Sequence, residues 1–262
     1  MEENSMIQKP MFTPQTEWLP PETFPDLSKY DEIAIDLETK DSQLKTMGSG
    51  SVTNRAKIVG IAVAVENWSG YYPIAHEGGG NMDEKKVMEW FRTILNYPST
   101  KIFHNAMYDV CFIRAAGLKI NGKIVDTMIA GSLVDENRFR YDLGSMGRDY
   151  VGKGKNEAIL KETADLWGID AKSEMYKLPA MYVGAYAEDD AKLTLALWQE
   201  MKKEIQHQDI QSIFDLETEL FPCLVDMRFL GVRVDIQAAT QLKEKLSSEE
   251  KECLLKVKKE TG

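Results

Sequence analysis

Ile33-Ala34-Ile35-Asp36-Leu37-Glu38-Thr39 alternates as a strand does, yet places acids where a core is expected. Successive side chains on a strand point to opposite faces. Ile33, Ile35 and Leu37 therefore share one face, while Ala34, Asp36 and Glu38 share the other. Working outward, residues 57–65 and 71–75 read as two further strands, with Ser69-Gly70 suited to a hairpin-like connection between them. Residues 83–95 read as a helix whose buried side includes Met82, Val87, Trp90, Phe91 and Ile94. A short strand at 101–103 leads into a helix from 105 to about 116, stopped by Gly117, and another short strand lies at 124–125. Helices dominate beyond that point. A three-strand meander followed by strands alternating with helices predicts an α/β domain with a mixed central sheet flanked by helices.

The flanks differ in texture. Pro10, Pro14, Pro20, Pro21 and Pro25 exclude a helix or internal strand, so residues 1–30 are expected to form an extended arm pinned by Trp18, Leu19 and Phe24. Residues 31–206 form the main domain. Past 207, Ile213, Leu216, Leu220, Leu224, Met227 and Leu230 recur at helical spacing and stop at Gly231. Residues 232–235 read as a brief extended piece, and a charged helix with Leu242, Leu246, Cys253 and Val257 follows. Residues 207–262 are expected to be the start of a truncated further domain.

A hydrophobic content of 43% supports a packed core and excludes a disordered chain. The net charge of −10 argues against a simple basic coat for nucleic acid, which neutralises phosphates with excess Lys and Arg. It leaves room for an enzyme that meets phosphates through metal ions. Cys111, Cys223 and Cys253 form no CxxC pair, and no long apolar run or signal pattern is present. A cytoplasmic protein with no membrane partner is expected.

Three segments put carboxylates on faces that the pattern otherwise buries. Asp36 and Glu38 do so on the first strand. Asn105 and Asp109, at i and i+4, share a helix side that continues to Phe112, Ile113 and Ala116. Tyr186 and Asp190 have the same spacing, and their stripe runs on through Leu193, Leu197 and Met201. Ionised carboxylates on apolar stripes are costly unless something cationic meets them. Taken singly, Asp36 can end a strand, Asp109 can face solvent, and Asp190 can belong to the exposed run Glu188-Asp189-Asp190. Taken together, Asp36, Glu38, Asp109 and Asp190 are the ligand set expected for a pair of hard cations, Mg²⁺ or Mn²⁺, and no Cys/His cluster competes for zinc. Two such ions about 4 Å apart can activate a water and stabilise the leaving oxygen of a phosphodiester.

These segments resemble the proofreading exonuclease domain of family A DNA polymerases, the group that includes DNA polymerase I and many phage polymerases. The first motif is Ile33-Ala-Ile-Asp36-Leu-Glu38-Thr39, the second His104-Asn105-Ala-Met-Tyr-Asp109, and the third Tyr186-Ala-Glu-Asp-Asp190-Ala followed by Thr194. Ala185 and Tyr186 place the third motif in the tyrosine branch rather than the histidine branch. The likeness extends to Val151-Gly-Lys-Gly-Lys-Asn156, and to Asp215-Leu-Glu-Thr-Glu219 with the following segment 227–235, which resembles the join to a polymerase domain. It covers residues 28–245.

The resemblance implies an RNase H-like exonuclease fold and 3′→5′ hydrolysis of single-stranded DNA ends, releasing nucleoside 5′-monophosphates. It makes Asp36 a ligand to both metal ions. Glu38 and Asp190 complete the site on the nucleophile side, Asp109 holds the second ion, and Tyr186 orients the attacking water. It places Asn105 and Thr39 on the substrate. The family often carries an apolar wedge six positions after the first Asp, and Ser42 stands there; Leu44 is the expected substitute. The polymerase domain, in cis or in trans, is the implied partner, and no polymerase activity is expected from residues 207–262 alone. Two alternatives stay open: a 3′→5′ exoribonuclease similar to RNase D, and a catalytically silent strand-binding module. The lysines of 152–155, with Arg138, Arg140 and Arg148, either guide a DNA strand or belong to solvated loops.

Overall fold

A computed structural model describes residues 13–261. The part of the expected arm that holds Pro10 lies outside the described residues. The strands are β1 (Glu32–Lys40), β2 (Lys57–Val65), β3 (Trp68–Pro73), β4 (Thr100–Phe103) and β5 (Ile124–Asp126). They form one five-stranded sheet in the order β3-β2-β1-β4-β5. β2 pairs antiparallel with both β1 and β3, whereas β4 runs parallel to β1 and to β5. The sheet is mixed, as the alternation of elements predicts. β1 lies at its centre, and Ile33, Ala34 and Ile35 are buried on both faces.

The helices are α1 (Leu44–Met47), α2 (Glu84–Asn96), α3 (Ala106–Ala115), α4 (Thr127–Val134), α5 (Leu143–Met146), α6 (Ala158–Trp167), α7 (Gly184–His207), α8 (Gln211–Leu230) and α9 (Ile236–Thr261). Asp83 caps α2 by accepting the Lys86 N–H at 3.0 Å, and Val87, Trp90, Phe91, Ile94 and Leu95 are its buried face. Each such side chain, fully buried, contributes about 1.5–3 kcal/mol. α7 packs against β1, β2 and β3, with Tyr186, Asp190, Leu193, Leu197 and Met201 all buried. The stripe that the spacing predicts is real.

Several expectations need correction. The third strand begins at Trp68, not Tyr71, so Ser69 and Gly70 lie within it. The turn falls instead on Glu66-Asn67, because Val65 pairs with Trp68 and Asn67 takes the left-handed φ of 66°. Asn tolerates that region better than other non-glycine residues. Residues 232–235 form no strand; Asp235 Oδ1 accepts the Ala238 N–H at 2.9 Å at the start of α9. Leu19 does not pin the arm, being 80% exposed. Trp18 and Phe24 do. Phe24 stacks on Tyr72 with ring centroids 5.5 Å apart, and the Trp90 indole N–H donates to the Pro25 carbonyl at 2.9 Å.

Two compact units divide the chain, one ending at Val225 and one comprising Asp226–Gly262. The first includes most of α8, whose Phe214, Phe221 and Val225 are buried. The second holds α9, which exposes Leu242, Leu246, Leu254, Leu255 and Val257. No helix among the described residues is long and apolar enough to cross a membrane.

Candidate active site

β1 brings the first two acids. Its pairing with β2 shifts register between Glu38 and Thr39, and such an irregularity re-aims the side chains around it. Glu38 lies opposite Gly60 of β2, and a Cβ at Gly60 would overlap the Tyr71 hydroxyl. Glycine is what lets Tyr71 cross there. The Tyr71 hydroxyl bonds His76 Nε2 at 2.6 Å, and His76 Nδ1 lies 3.0 Å from the Leu178 carbonyl. A carbonyl only accepts, so Nδ1 carries the proton and Nε2 accepts from Tyr71. Burial pushes His76 down to about 4, which keeps it neutral.

α3 brings the third acid, and its start is fixed by Asp126 at the end of β5. Asp126 Oδ1 accepts the Asn105 N–H at 2.9 Å and the Met128 N–H at 2.8 Å, while Oδ2 accepts the Ala106 N–H at 2.8 Å. One carboxylate thus caps both α3 and α4. Asn105 sits at φ 65° with its side chain exposed, whereas Asp109, one turn on, is buried. Asp109 Oδ1 accepts the Leu37 N–H at 3.1 Å, joining α3 to the backbone between Asp36 and Glu38. Thr39 Oγ1 and the Tyr108 hydroxyl are 2.7 Å apart.

α7 brings Tyr186 and Asp190. Its first turn is held from outside by the arm: the Trp18 indole N–H donates to Glu188 Oε1 at 2.8 Å, and a Cβ at Gly184 would overlap the same indole. Glu188 Oε1 also accepts the Tyr71 N–H at 3.1 Å.

Lys155, on the loop between α5 and α6, reaches into this group. Its Nζ donates to Asp190 Oδ2 at 2.5 Å and to the Tyr186 hydroxyl at 3.1 Å. The acids feel one another. Burial first, then the Asp190 charge, push Asp36 up to about 7, against the pull of Lys155. Burial and the Asp36 charge raise Glu38 and Asp109 well above the usual carboxylate range. Burial also raises Asp190, with Lys155 opposing, and raises Tyr186 well above an ordinary phenol. Tyr186 therefore keeps its proton at neutral pH.

The structure brings together Asp36, Glu38, Asp109, Asp190 and Tyr186, from one strand and two helices. Asp36, His104, Asn105 and Lys155 line a cavity of about 650 Å³, with Arg140, Arg148 and Lys172 also on its walls. Glu38, Asp109 and Asp190 are buried and are not among the residues that line it. Leu44, on α1, is 42% exposed and does not line this cavity. The donor set is all oxygen, and Asp190 Oδ1 is buried with no hydrogen-bond partner. That chemistry fits a hard divalent cation. Among the described residues no three His, Cys, Asp or Glu side chains are arranged to hold an ion as they stand, and Lys155 occupies Asp190 Oδ2.

Sequence reasoning left Lys155 between a strand-guiding role and a solvated loop, and missed Asp126 and Tyr108. Asp126 carried a signal, an Asp directly between a short strand and a helix. Lys155 lay in the stretch 151–156 that resembles the family, but spacing does not say where a loop passes, so its contact with Asp190 was not foreseen.

The fold is that of RNase H-like exonucleases. Brucella melitensis NrnC with bound Mg²⁺ superposes with a TM-score of 0.55 at 16% identity, over 80% of this chain and 92% of that one. Escherichia coli RNase D gives 0.54 at 18% identity, over 82% and 50%. The sequence profile of the 3′-5′ exonuclease domain of family A DNA polymerases matches residues 11–206. A DNA-directed DNA polymerase of Pseudomonas phage M6 is 33% identical over 266 residues, which is 98% of this chain and 40% of that polymerase. The chain belongs to the 3′-5′ exonuclease family of family A DNA polymerases, and it is a 3′→5′ exonuclease. It spans less than half the length of that phage relative.

Proposed function

We propose that the chain removes nucleotides from the 3′ end of single-stranded DNA by a two-metal reaction, as the proofreading part of a family A polymerase. The observation that carries this reading is the convergence of Asp36, Glu38, Asp109 and Asp190, all oxygen donors, beside Tyr186 and a cavity walled in part by cations. Asp36, Glu38 and Asp190 would hold one ion, and Asp36 with Asp109 the other. When bound, divalent ions supply the positive field that generates the nucleophile and stabilises the leaving oxygen. The chain's own groups do the rest. Tyr186, protonated, orients the attacking water through its hydroxyl instead of acting as a base. Asn105, exposed on the cavity wall, contacts the strand near the scissile end, with Thr39 beside Glu38 and Leu44 against the terminal base.

The division at residue 207 belongs to the same proposal, with 31–206 as the exonuclease domain and 207–262 as the beginning of the polymerase domain. The family match ends at 206, while the burial of Phe214, Phe221 and Val225 keeps most of α8 with the compact unit before it.

The test is a time course on a 5′-labelled single-stranded DNA oligonucleotide, with Mg²⁺, with Mn²⁺ and with EDTA. A metal-dependent ladder shortening from the 3′ end is expected, and Asp36→Ala with Glu38→Ala should abolish it while the far-UV spectrum is retained. Wild-type rates in the double variant would refute the assignment. Faster trimming of a matched RNA oligonucleotide would move the substrate to RNA.

A further inference from the structure

Lys155 stands where a cluster of acids needs positive charge. Its Nζ bonds Asp190 Oδ2 and the Tyr186 hydroxyl together, and lies 5.2 Å from the Tyr186 ring centroid. Asp36 and Glu38 attract the same ammonium. Asp190 is 2% exposed, so this is not an ordinary surface ion pair, and its other oxygen has no partner. Lys155 comes from a loop outside regular structure, preceded by Gly152 at φ 75°. Such a loop can swing without melting a helix.

We propose that Lys155 is a positioning residue and the built-in counter-ion of the acid cluster: it holds Asp190 and Tyr186 in place without a divalent cation, and it competes with that cation for Asp190. The inference rests on the metal-binding reading of the four acids. Lys155 itself stays protonated: its ammonium leaves Asp190 Oδ2, and the carboxylate becomes free to ligate. Losing Lys155 should therefore weaken the metal-free protein and strengthen metal binding, two sides of one thermodynamic cycle.

The test compares the wild type with Lys155→Met, Lys155→Arg and Lys153→Met, the last being a lysine of the same loop whose Nζ is 3.8 Å from Asp189. Melting is followed in EDTA and in saturating Mg²⁺, and Mg²⁺ affinity is measured by calorimetry. Lys155→Met is expected to melt at least about 5 °C below wild type in EDTA. That gap should narrow with Mg²⁺, and the Kd should tighten by about tenfold, as expected for removing a unit charge several ångströms from a divalent one. Lys155→Arg should restore wild-type behaviour on both counts, and Lys153→Met should not differ from wild type. Equal Mg²⁺ affinity in Lys155→Met and wild type, or a melting gap that Mg²⁺ leaves unchanged, would overturn the proposal. Absence of Mg²⁺ binding in every variant would instead overturn the metal reading, and this inference with it.

Discussion

Asp36 shows what the acid cluster costs. An ordinary Asp ionises near 3.8, and in the fold burial and Asp190 hold Asp36 at about 7. A carboxyl raised in the folded state stabilises the fold below its unfolded pKa, and loses that contribution as pH rises through the folded value. The metal-free protein should therefore lose this stabilisation as pH rises from about 4 to about 7, on the order of a few kcal/mol. Burial holds His76 and His104 at about 4 against an ordinary 6.5. Their contribution has the opposite sign, present above 6.5 and lost as pH falls toward 4. Melting curves in EDTA should thus pass through a maximum on the acid side of neutrality. Asp36→Asn should flatten the alkaline limb and raise the melting temperature at pH 8; an unchanged limb would place its origin elsewhere. The four acids were legible in the sequence because each breaks an apolar period. Lys155 breaks none, and its role appears only once a loop is seen to cross the site.

Elements deliver the acids, and small features decide where. α3 is ten residues long, and its first turn depends on Asp126. Asp126→Ala leaves the N–H groups of Asn105, Ala106 and Met128 without their acceptor, and should cost about 2 kcal/mol in urea titrations, at the upper end for a helix cap. Because the same turn positions Asp109, turnover should fall more than substrate affinity. A rise in KM alone would argue against that coupling. The lengths of β2 and α2 and the buried stripe of α7 follow directly from periodicity. The β2–β3 turn did not, because Ser69-Gly70 is the more usual turn pair and Asn67 took the left-handed position instead. The exposed apolar side chains of α8 and the buried Phe214 and Phe221 lie on different sides of one helix, and hydrophobicity alone does not say which side packs.

At the scale of the molecule, a net charge of −10 opposes any polyanion. Local positive charge must come from bound cations and from the cavity's Arg140, Arg148 and Lys172. Arg148→Ala with Lys172→Ala should raise KM for single-stranded DNA about three- to tenfold, leave kcat near wild type, and reduce the salt slope of binding by about one per charge. An unchanged salt slope would remove these residues from the strand's path. The arm has a different bearing on the whole. β3 is the outer strand of the sheet, and its Tyr71 N–H is already taken by Glu188, which Trp18 holds in place. The opposite margin, β5, is only three residues long. A strand from another molecule would find one border occupied and the other too short to pair with, so the sheet is guarded against edge-to-edge aggregation by the same carboxylate that steadies the start of α7.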